Sequence, residues 1–185
     1  MDEGLLRGKF ALDDSGVFEL THEGLKRLEQ LERAMPSGDN AFMAMQFGNK
    51  TLDRIVDDFF RGAVKEAGFN LYRLDDRPEA GLIDARLRNE IRNCRFLIAD
   101  LSHANAGSYW EAGYAEGLGK PVIYTCEKNV FEGRAANVGK PHFDTNHHLT
   151  IIWDETEPQS AANRLRETIQ FTIPESQQAN SSRSI

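Results

Sequence analysis

The sequence predicts an α/β protein built on a doubly wound, five-stranded parallel sheet, and three observations carry that prediction. Short apolar runs alternate along the chain with longer segments whose apolar residues recur at helical spacing. Alternating strands and helices form right-handed βαβ units, which produce a parallel sheet. With 185 residues, 40% of them hydrophobic, the chain is long enough for one buried core and is not a disordered protein.

Three parts of the chain differ in pattern. Residues 1–38 are interpreted as a short helical appendage or linker, in which Thr21 is the expected N-cap of an amphipathic helix that ends near residues 36–38. Residues 39–173 form the predicted α/β domain. Residues 174–185 are polar and are expected to form a mobile tail.

The first half of the predicted domain contains two strands and two helices. The segment 41–45 is a continuous apolar run, as expected of a strand covered on both faces. Over 52–67, apolar residues recur at i, i+3, i+4 and i+7, which predicts a helix, and Gly68 is a natural residue to end it. The second strand is predicted over 69–74, and helical spacing returns over 83–93.

The second half repeats this alternation. The apolar run 96–99 predicts the third strand, and a helix is predicted over 108–118. A fourth strand is predicted over 121–124 and a fifth over 149–153. A helix over 158–171 closes the domain, so that each strand can be covered by helices on both faces.

Charge and hydropathy exclude several functional classes. Lys and Arg number 22 against 29 Asp and Glu, a net charge of −7, so direct binding to a nucleic-acid backbone is not expected. The mean hydropathy is −0.52 and no apolar run is long enough for a membrane span. Cys94 and Cys126 form no C-x-x-C pair, and nothing resembles a secretory signal, so we expect a cytoplasmic protein.

The topology predicts where a ligand binds. In an open α/β sheet, ligands bind beyond the carboxyl ends of the strands, where the strand order reverses. The predicted sheet is of the flavodoxin-like or Rossmann-like type, and for the flavodoxin-like order 2-1-3-4-5 this crevice lies between strands one and three. We therefore expect one pocket to be lined by the residues that leave these strands: Met45, Gln46, Phe47 and Gly48 after the first, and Asp100, Leu101 and Ser102 after the third.

A motif after the third strand resembles a known superfamily of enzymes. A strand ending in Asp100 is followed by a polar loop, an aromatic residue, the run Glu-Ala-Gly-Tyr-Ala at 111–115, and Gly-Lys-Pro-Val-Ile at 119–123. This pattern resembles the nucleoside 2-deoxyribosyltransferases, the related nucleotide N-glycosidases and the TIR-like domains. The similarity extends over residues 40–154, including the first strand with its loop and the second strand.

The resemblance implies that Glu111 is the nucleophile that attacks the anomeric carbon of a nucleoside-like substrate. The chemistry suits a carboxylate, because cleavage of an N-glycosidic bond passes through an oxocarbenium-like state that a carboxylate stabilises or traps. Placed one turn into a helix, near its positive end, Glu111 is predicted to be a charged nucleophile rather than a general acid. The alternative is that Glu111 only balances the helix dipole at the surface.

Further candidates surround this motif, each with a plainer structural alternative. Asp100 is a second catalytic candidate, as a partner for a sugar hydroxyl or a leaving-group proton, or else a cap for the following loop. Asp76, after the second strand, is a further acidic candidate. Tyr109, Trp110 and Tyr114 offer a stacking wall for a base, or else pack in the core.

Three polar residues precede the Glu. Ser102, Asn105 and Ser108 can donate to a sugar or phosphate, or else form local hydrogen bonds in the loop. Asn105 also marks a departure, because deoxyribosyltransferases have an Asp six residues before the nucleophile. The helix before the third strand departs too, because deoxyribosyltransferases have an Asp on it where this chain has Arg-Leu-Arg-Asn-Glu at 86–90, with only Asp84 nearby. Hydrolysis and transfer between bases therefore both stay open.

Two hypotheses of function follow. The first is an enzyme that cleaves or transfers the N-glycosidic bond of a nucleoside, nucleotide or NAD-like substrate. The second is a non-catalytic, TIR-like module that senses a nucleotide with the same pocket. Neither implies a cofactor, and His142, Asp144, His147 and His148 match no zinc-site spacing, so no metal is expected. The aromatic residues within 109–114 predict a homodimer or a higher homo-oligomer.

Overall fold

A small N-terminal unit, residues 1–37, contains an antiparallel hairpin in the computed structural model of the chain. The hairpin pairs Leu6 with Leu20. The predicted N-cap is present, because the Gly24 N–H donates to the Thr21 hydroxyl oxygen at 3.0 Å. The helix was therefore predicted and the hairpin was not. The elements of this unit are β1 (Leu6–Phe10), β2 (Gly16–Leu20) and α1 (residues 22–27).

The structure describes most of the chain. Its described ranges are 4–10, 16–27, 38–76, 83–136, 138–142, 145 and 148–173. The predicted tail at 174–185 lies outside these ranges, as does the predicted continuation of α1 beyond residue 27. None of the described helices is long and apolar enough to span a membrane.

The larger unit, residues 38–185, is organised by a five-stranded parallel sheet. Its strands are β3 (Asn40–Ala44), β4 (Asn70–Tyr72), β5 (Phe96–Asp100), β6 (Val122–Glu127) and β7 (Thr150–Trp153). Neighbouring strands follow the order β4-β3-β5-β6-β7, and every pair is parallel. Counted within this unit, the order is 2-1-3-4-5. The predicted doubly wound fold is confirmed, with the reversal of strand order between β3 and β5.

Helices connect the strands at the predicted places. Asn49 caps the first of them, because its side-chain oxygen accepts a hydrogen bond from the Leu52 N–H at 3.0 Å. Gly68, with a φ of +95°, ends that helical segment as predicted. The short helix α6 was not predicted. The helices are α2 (Lys50–Ile55), continued by a π-helical turn (Val56–Phe60) into α3 (Arg61–Glu66), then α4 (Ile83–Asn93), α5 (Ala106–Gly117), α6 (Lys128–Phe131) and α7 (Pro158–Thr172).

The sheet buries residues on both of its faces. Because successive side chains of a strand point to opposite faces, Met43 of β3 joins the core cluster that contains residues of α2, α3 and α7. Its neighbours Phe42 and Ala44 join the cluster that contains residues of α4 and α5. All five residues of β5 are buried, which explains why the predicted strand was an uninterrupted apolar run.

Helix α5 begins two residues before its predicted start at Ser108. The side-chain oxygen of Asn105 accepts a hydrogen bond from the Gly107 N–H at 3.0 Å, so Asn105 is the N-cap and Ala106 the first helical residue. Ser108 lies inside the first turn. Consequently Glu111 is the sixth residue of the helix, beyond the first turn in which the positive end of the dipole acts.

Candidate active site

The loops that follow β3 and β5 meet at the carboxyl edge of the sheet. Asn49 Nδ2 lies 2.8 Å from His103 Nε2. Since the Asn49 oxygen already accepts from the Leu52 N–H, its amide nitrogen is the group that donates to the imidazole. The two segments therefore face each other, as the strand order predicts. Asn49 and His103 were not predicted as site residues, although Asn49 is a favoured N-cap type and lies three residues before the helical pattern that begins at 52.

The residues after the first strand that are predicted to line the pocket lie partly in the core and partly at the surface. Met45 is buried among the core residues. Gln46 and Phe47 are exposed, with Phe47 at 48%. Gly48 has a φ of +77°, a conformation that glycine adopts without strain. This loop thus presents Gln46 and Phe47 to solvent, while the predicted proximity of Phe47 to Glu111 stays a prediction.

Glu111 is half-buried in the first half of α5. Its carboxyl group has no hydrogen bond or ion pair within the part of the chain that the structure describes. Burial raises the pKa of Glu111 from 4.5 to about 7, because leaving water disfavours the charged form. The sequence predicts an ionised carboxylate, but with the helix terminus more than one turn away, loss of hydration outweighs the dipole.

The raised pKa predicts how the stability of the fold depends on pH. Native Glu111 holds its proton more tightly than the unfolded chain does, so this contribution to stability is complete below about pH 4.5 and is lost as the pH rises through about 7. Gln carries no charge. We therefore expect Glu111→Gln to be more stable than the wild type at pH 8, by on the order of 2 kcal/mol, with a smaller difference at pH 5. Urea unfolding at both pH values measures this, and an equal difference at both contradicts it.

Asp100, at the end of β5, lies in the interior of the protein and is only 1% exposed. One carboxylate oxygen accepts from the Ser102 N–H at 3.0 Å. The other accepts from the Thr125 hydroxyl and the Trp153 indole N–H, each at 2.8 Å. Asp100 thus ties the ends of β5, β6 and β7 together, and these contacts indicate the loop-capping role rather than contact with a substrate.

The three polar residues before Glu111 make local contacts. Ser102 is fully buried and its hydroxyl oxygen accepts from the Glu127 N–H at 2.7 Å. Asn105 uses its side-chain oxygen to cap α5. Ser108 is also fully buried, and its hydroxyl oxygen has no hydrogen-bond partner among the residues that the structure describes. The structure therefore places both serines away from solvent and leaves only Asn105 partly exposed.

Two of the predicted aromatic residues lie on the side of α5 that faces α4. Trp110 and Tyr114 stack with ring centroids 5.4 Å apart and planes within 10°. The Arg88 guanidinium lies 5.4 Å from the Trp110 ring, and that of Arg92 lies 5.8 Å from the Tyr114 ring. Trp110 is 46% exposed. These contacts place the pair in a surface cluster with two arginines.

Asp76 belongs to an ion-pair network at the end of β4. Both of its oxygens accept from the Arg61 guanidinium, at 2.7 and 2.9 Å, and one also accepts from the Arg73 N–H at 2.8 Å. Burial opposes its ionisation, but the hydrogen bonds from Arg61 and Arg73 outweigh burial and lower the pKa of Asp76. Asp76 is therefore a paired carboxylate.

A cavity of about 620 Å³ opens along α5. The helix contributes Ala106, Tyr109, Gly113 and Glu116, which lie on one face, and Glu111 is not among the lining residues. At 3.6 residues per turn, Glu111 lies about 200° around the helix from both Tyr109 and Gly113. The structure thus separates two predicted site residues, with Tyr109 in this cavity and Glu111 on the opposite flank.

The histidines considered for a metal lie partly near this cavity. His142 and His148 line it, while Asp144 and His147 lie outside the described residues. Among the residues that are described, no three His, Cys, Asp or Glu side chains form a group that could hold a metal ion.

The chain is similar in structure to several solved proteins, while no family model and no curated protein matches it. Thirteen chains match. A 2-desoxiribosyltransferase from Leishmania mexicana is 21% identical, with a TM-score of 0.42, over 56% of this chain and 78% of its own. The CMP N-glycosidase BcmB from Clostridium botulinum is 16% identical, with a TM-score of 0.45, over 71% and 98%. The sugar isomerase domain of an RpiR transcription factor from Sphaerobacter thermophilus is 15% identical, with a TM-score of 0.37, over 84% and 89%.

Proposed function

We propose that the protein cleaves or transfers the N-glycosidic bond of a nucleoside, nucleotide or NAD-like substrate through Glu111. The observation that supports this is the state of the Glu111 carboxyl group, which is half-buried and unpaired among the described residues, on the helix that follows β5. Burying a carboxyl group without a partner costs stability. Carboxyl groups whose pKa is shifted by burial are typical of catalytic sites, where the pKa has to suit the reaction.

The other predicted carboxylates have protein partners. Asp100 accepts three internal hydrogen bonds, and Asp76 is paired with Arg61. Glu111 is the member of this set that is left to meet a substrate. In the proposed reaction a Glu111 oxygen bonds to the anomeric carbon as the bond to the base nitrogen breaks, and the base leaves with a proton from solvent. Water, or a second base, then attacks the same carbon and releases Glu111.

The experiment is a direct assay for free base. The purified full chain is incubated with a panel of nucleosides, nucleotides and NAD, and released base is measured by chromatography. We expect base from at least one of them, and equal activity from Glu66→Gln, which alters a surface carboxylate paired with Arg166 on the other side of the sheet. If the wild type releases no base from any of them, the proposal is wrong.

A nucleotide-sensing module of the TIR-like kind is the second candidate function. It is favoured by Asn105, which stands where deoxyribosyltransferases have an Asp and whose side-chain oxygen caps α5. A sensor of this kind binds a member of the panel without releasing base. Calorimetric titration of the same panel separates it from a protein with no nucleotide site.

The cluster of Trp110 and Tyr114 predicts a homodimer. Trp110 is a large, exposed aromatic side chain, of the kind that is enriched in protein interfaces. We expect the wild type to be dimeric at tens of micromolar and Trp110→Glu to be monomeric, as measured by light scattering. Phe171→Ser is the matched control, because Phe171 is exposed on α7 outside this cluster. A monomeric wild type, or a control that dissociates as well, contradicts the prediction.

A further inference from the structure

We propose that the cavity along α5 is a second binding site, separate from Glu111, for a nucleoside monophosphate whose base carries an exocyclic amino group. The cavity lies on the flank of α5 opposite Glu111, and it does not depend on the proposed reaction. Four features of the cavity match such a ligand: its size, its aromatic walls, a carboxylate held in place by the protein, and a positively charged rim.

The size and the walls of the cavity suit a flat ring. A volume of about 620 Å³ lies within the range of small-molecule sites, roughly 300–1,000 Å³. Tyr109, Tyr124 and His148 line it, with the Tyr124 and His148 rings 5.0 Å apart. A Cβ placed on Gly113 would have no neighbour within 4 Å, so the helix leaves open space there. Because Tyr124 is only 3% exposed, the rings accessible for stacking on a base are those of Tyr109 and His148.

A carboxylate in the cavity is held in place by the protein. The Tyr124 hydroxyl donates to one oxygen of Glu116 at 3.1 Å, and His148 Nδ1 lies 3.9 Å from the same oxygen. The second oxygen has no partner within the described ranges, and the side chain is 41% exposed. Because a carboxylate only accepts hydrogen bonds, its ligand has to donate. The amino group of cytosine is such a donor, whereas a pyrimidine with an oxygen at that position is an acceptor.

The rim of the cavity carries positive charge. Lys140 lines it and has no ion pair with any described residue. The neighbouring backbone is fixed, because the His142 N–H donates to the Tyr109 hydroxyl oxygen at 3.0 Å and the Thr145 hydroxyl donates to the His142 carbonyl at 2.7 Å. A lysine is a usual partner of phosphate. In a chain with a net charge of −7, an unpaired lysine beside a cavity favours a ligand with a negative group.

The test compares CMP with UMP, which differ by an amino group against an oxygen on the base. Calorimetric titration of the full chain carrying Glu111→Gln excludes turnover during the measurement. We expect CMP to bind at least ~10-fold tighter than UMP, because a single hydrogen bond to a charged group increases affinity by at least about this factor. Adding Glu116→Gln is expected to remove this preference, whereas adding the control Glu66→Gln keeps it. Lys140→Gln is expected to weaken CMP and UMP alike and to leave cytidine, which has no phosphate, unchanged.

Several results would overturn the proposal. Equal binding of CMP and UMP, or a preference that survives Glu116→Gln, removes Glu116 as the base-reading group. Full competition by inorganic phosphate at equal concentration reduces the site to a phosphate site. Loss of base release in Glu116→Gln alone shows that the cavity is the substrate site rather than a second one. The melting temperature of Glu116→Gln is measured as a control for folding. We expect it to stay close to that of the wild type, because the Gln oxygen can still accept a hydrogen bond from the Tyr124 hydroxyl.

Discussion

Replacing Glu111 by Gln is expected to slow the release of free base by at least ~10³-fold, while substrate affinity changes by less than about threefold. Gln keeps the shape of the side chain but lacks the negative charge that meets the developing oxocarbenium ion. It also cannot form the covalent ester. Single-turnover measurement of base release, together with binding of the unreacted substrate, separates the two effects. Base release at the wild-type rate would show that another group is the nucleophile.

The pH dependence of the same reaction gives an independent test. A nucleophile has to be deprotonated, and burial raises the pKa of Glu111 to about 7. We therefore expect kcat/KM to rise as the pH increases through about 7 and then to level off. A general acid gives the opposite slope, because it acts in its protonated form. A profile that falls through this range contradicts the nucleophilic role, even if Glu111→Gln is inactive.

Removing the Asp100 side chain is expected to have the largest effect on stability. Asp100→Ala leaves the Thr125 hydroxyl and the Trp153 indole N–H buried without their acceptor, along with the Ser102 N–H. Breaking a buried, hydrogen-bonded group of this kind costs roughly 3–5 kcal/mol. Urea unfolding of the variant measures the loss. Asp84→Ala, an exposed carboxylate on α4, is the control and is expected to have almost no effect.

A conservative variant separates the two roles of Asp100. Asp100→Asn keeps one oxygen as an acceptor but turns an amide N–H₂ towards donors, so we expect a smaller loss of stability than for Ala. Its activity per folded molecule should stay close to that of the wild type. If Asp100→Asn is as stable as the wild type but inactive, Asp100 acts on the substrate, as the sequence first predicts.

The fold was predictable because its signals are local. The apolar run at 96–99 and the helical spacing over 83–93 each correspond to an element of the structure. The start of α5 was placed wrongly because Asn105 and Ser108 are both favoured N-cap residues, and only the observed hydrogen bond to Gly107 decides between them. The hairpin of β1 and β2 was missed because its strands are short and lie in a Gly-containing segment that was interpreted as helical.

The site was less predictable because its contacts are remote in sequence. The partners of Asp100 come from β6 and β7, and nothing beside Asp100 in the chain indicates that Thr125 and Trp153 will meet it. The spacing of Tyr109, Gly113 and Glu116 does place them on one helix face. It does not reveal that Tyr124 lines the same cavity, because Tyr124 belongs to a different element, the strand β6.

The hydrogen bond from the Trp153 indole to Asp100 also makes the fluorescence of Trp153 an intrinsic probe of this part of the fold. The sequence contains two tryptophans, and their surroundings are opposite. Trp153 is 2% exposed and bonded to a carboxylate, whereas Trp110 is 46% exposed beside Arg88. Emission from Trp153 is therefore sensitive to the packing of β5, β6 and β7, and emission from Trp110 to whatever covers the surface of α5. With Trp110→Phe or Trp153→Phe, intrinsic fluorescence can follow unfolding and self-association as two separate signals.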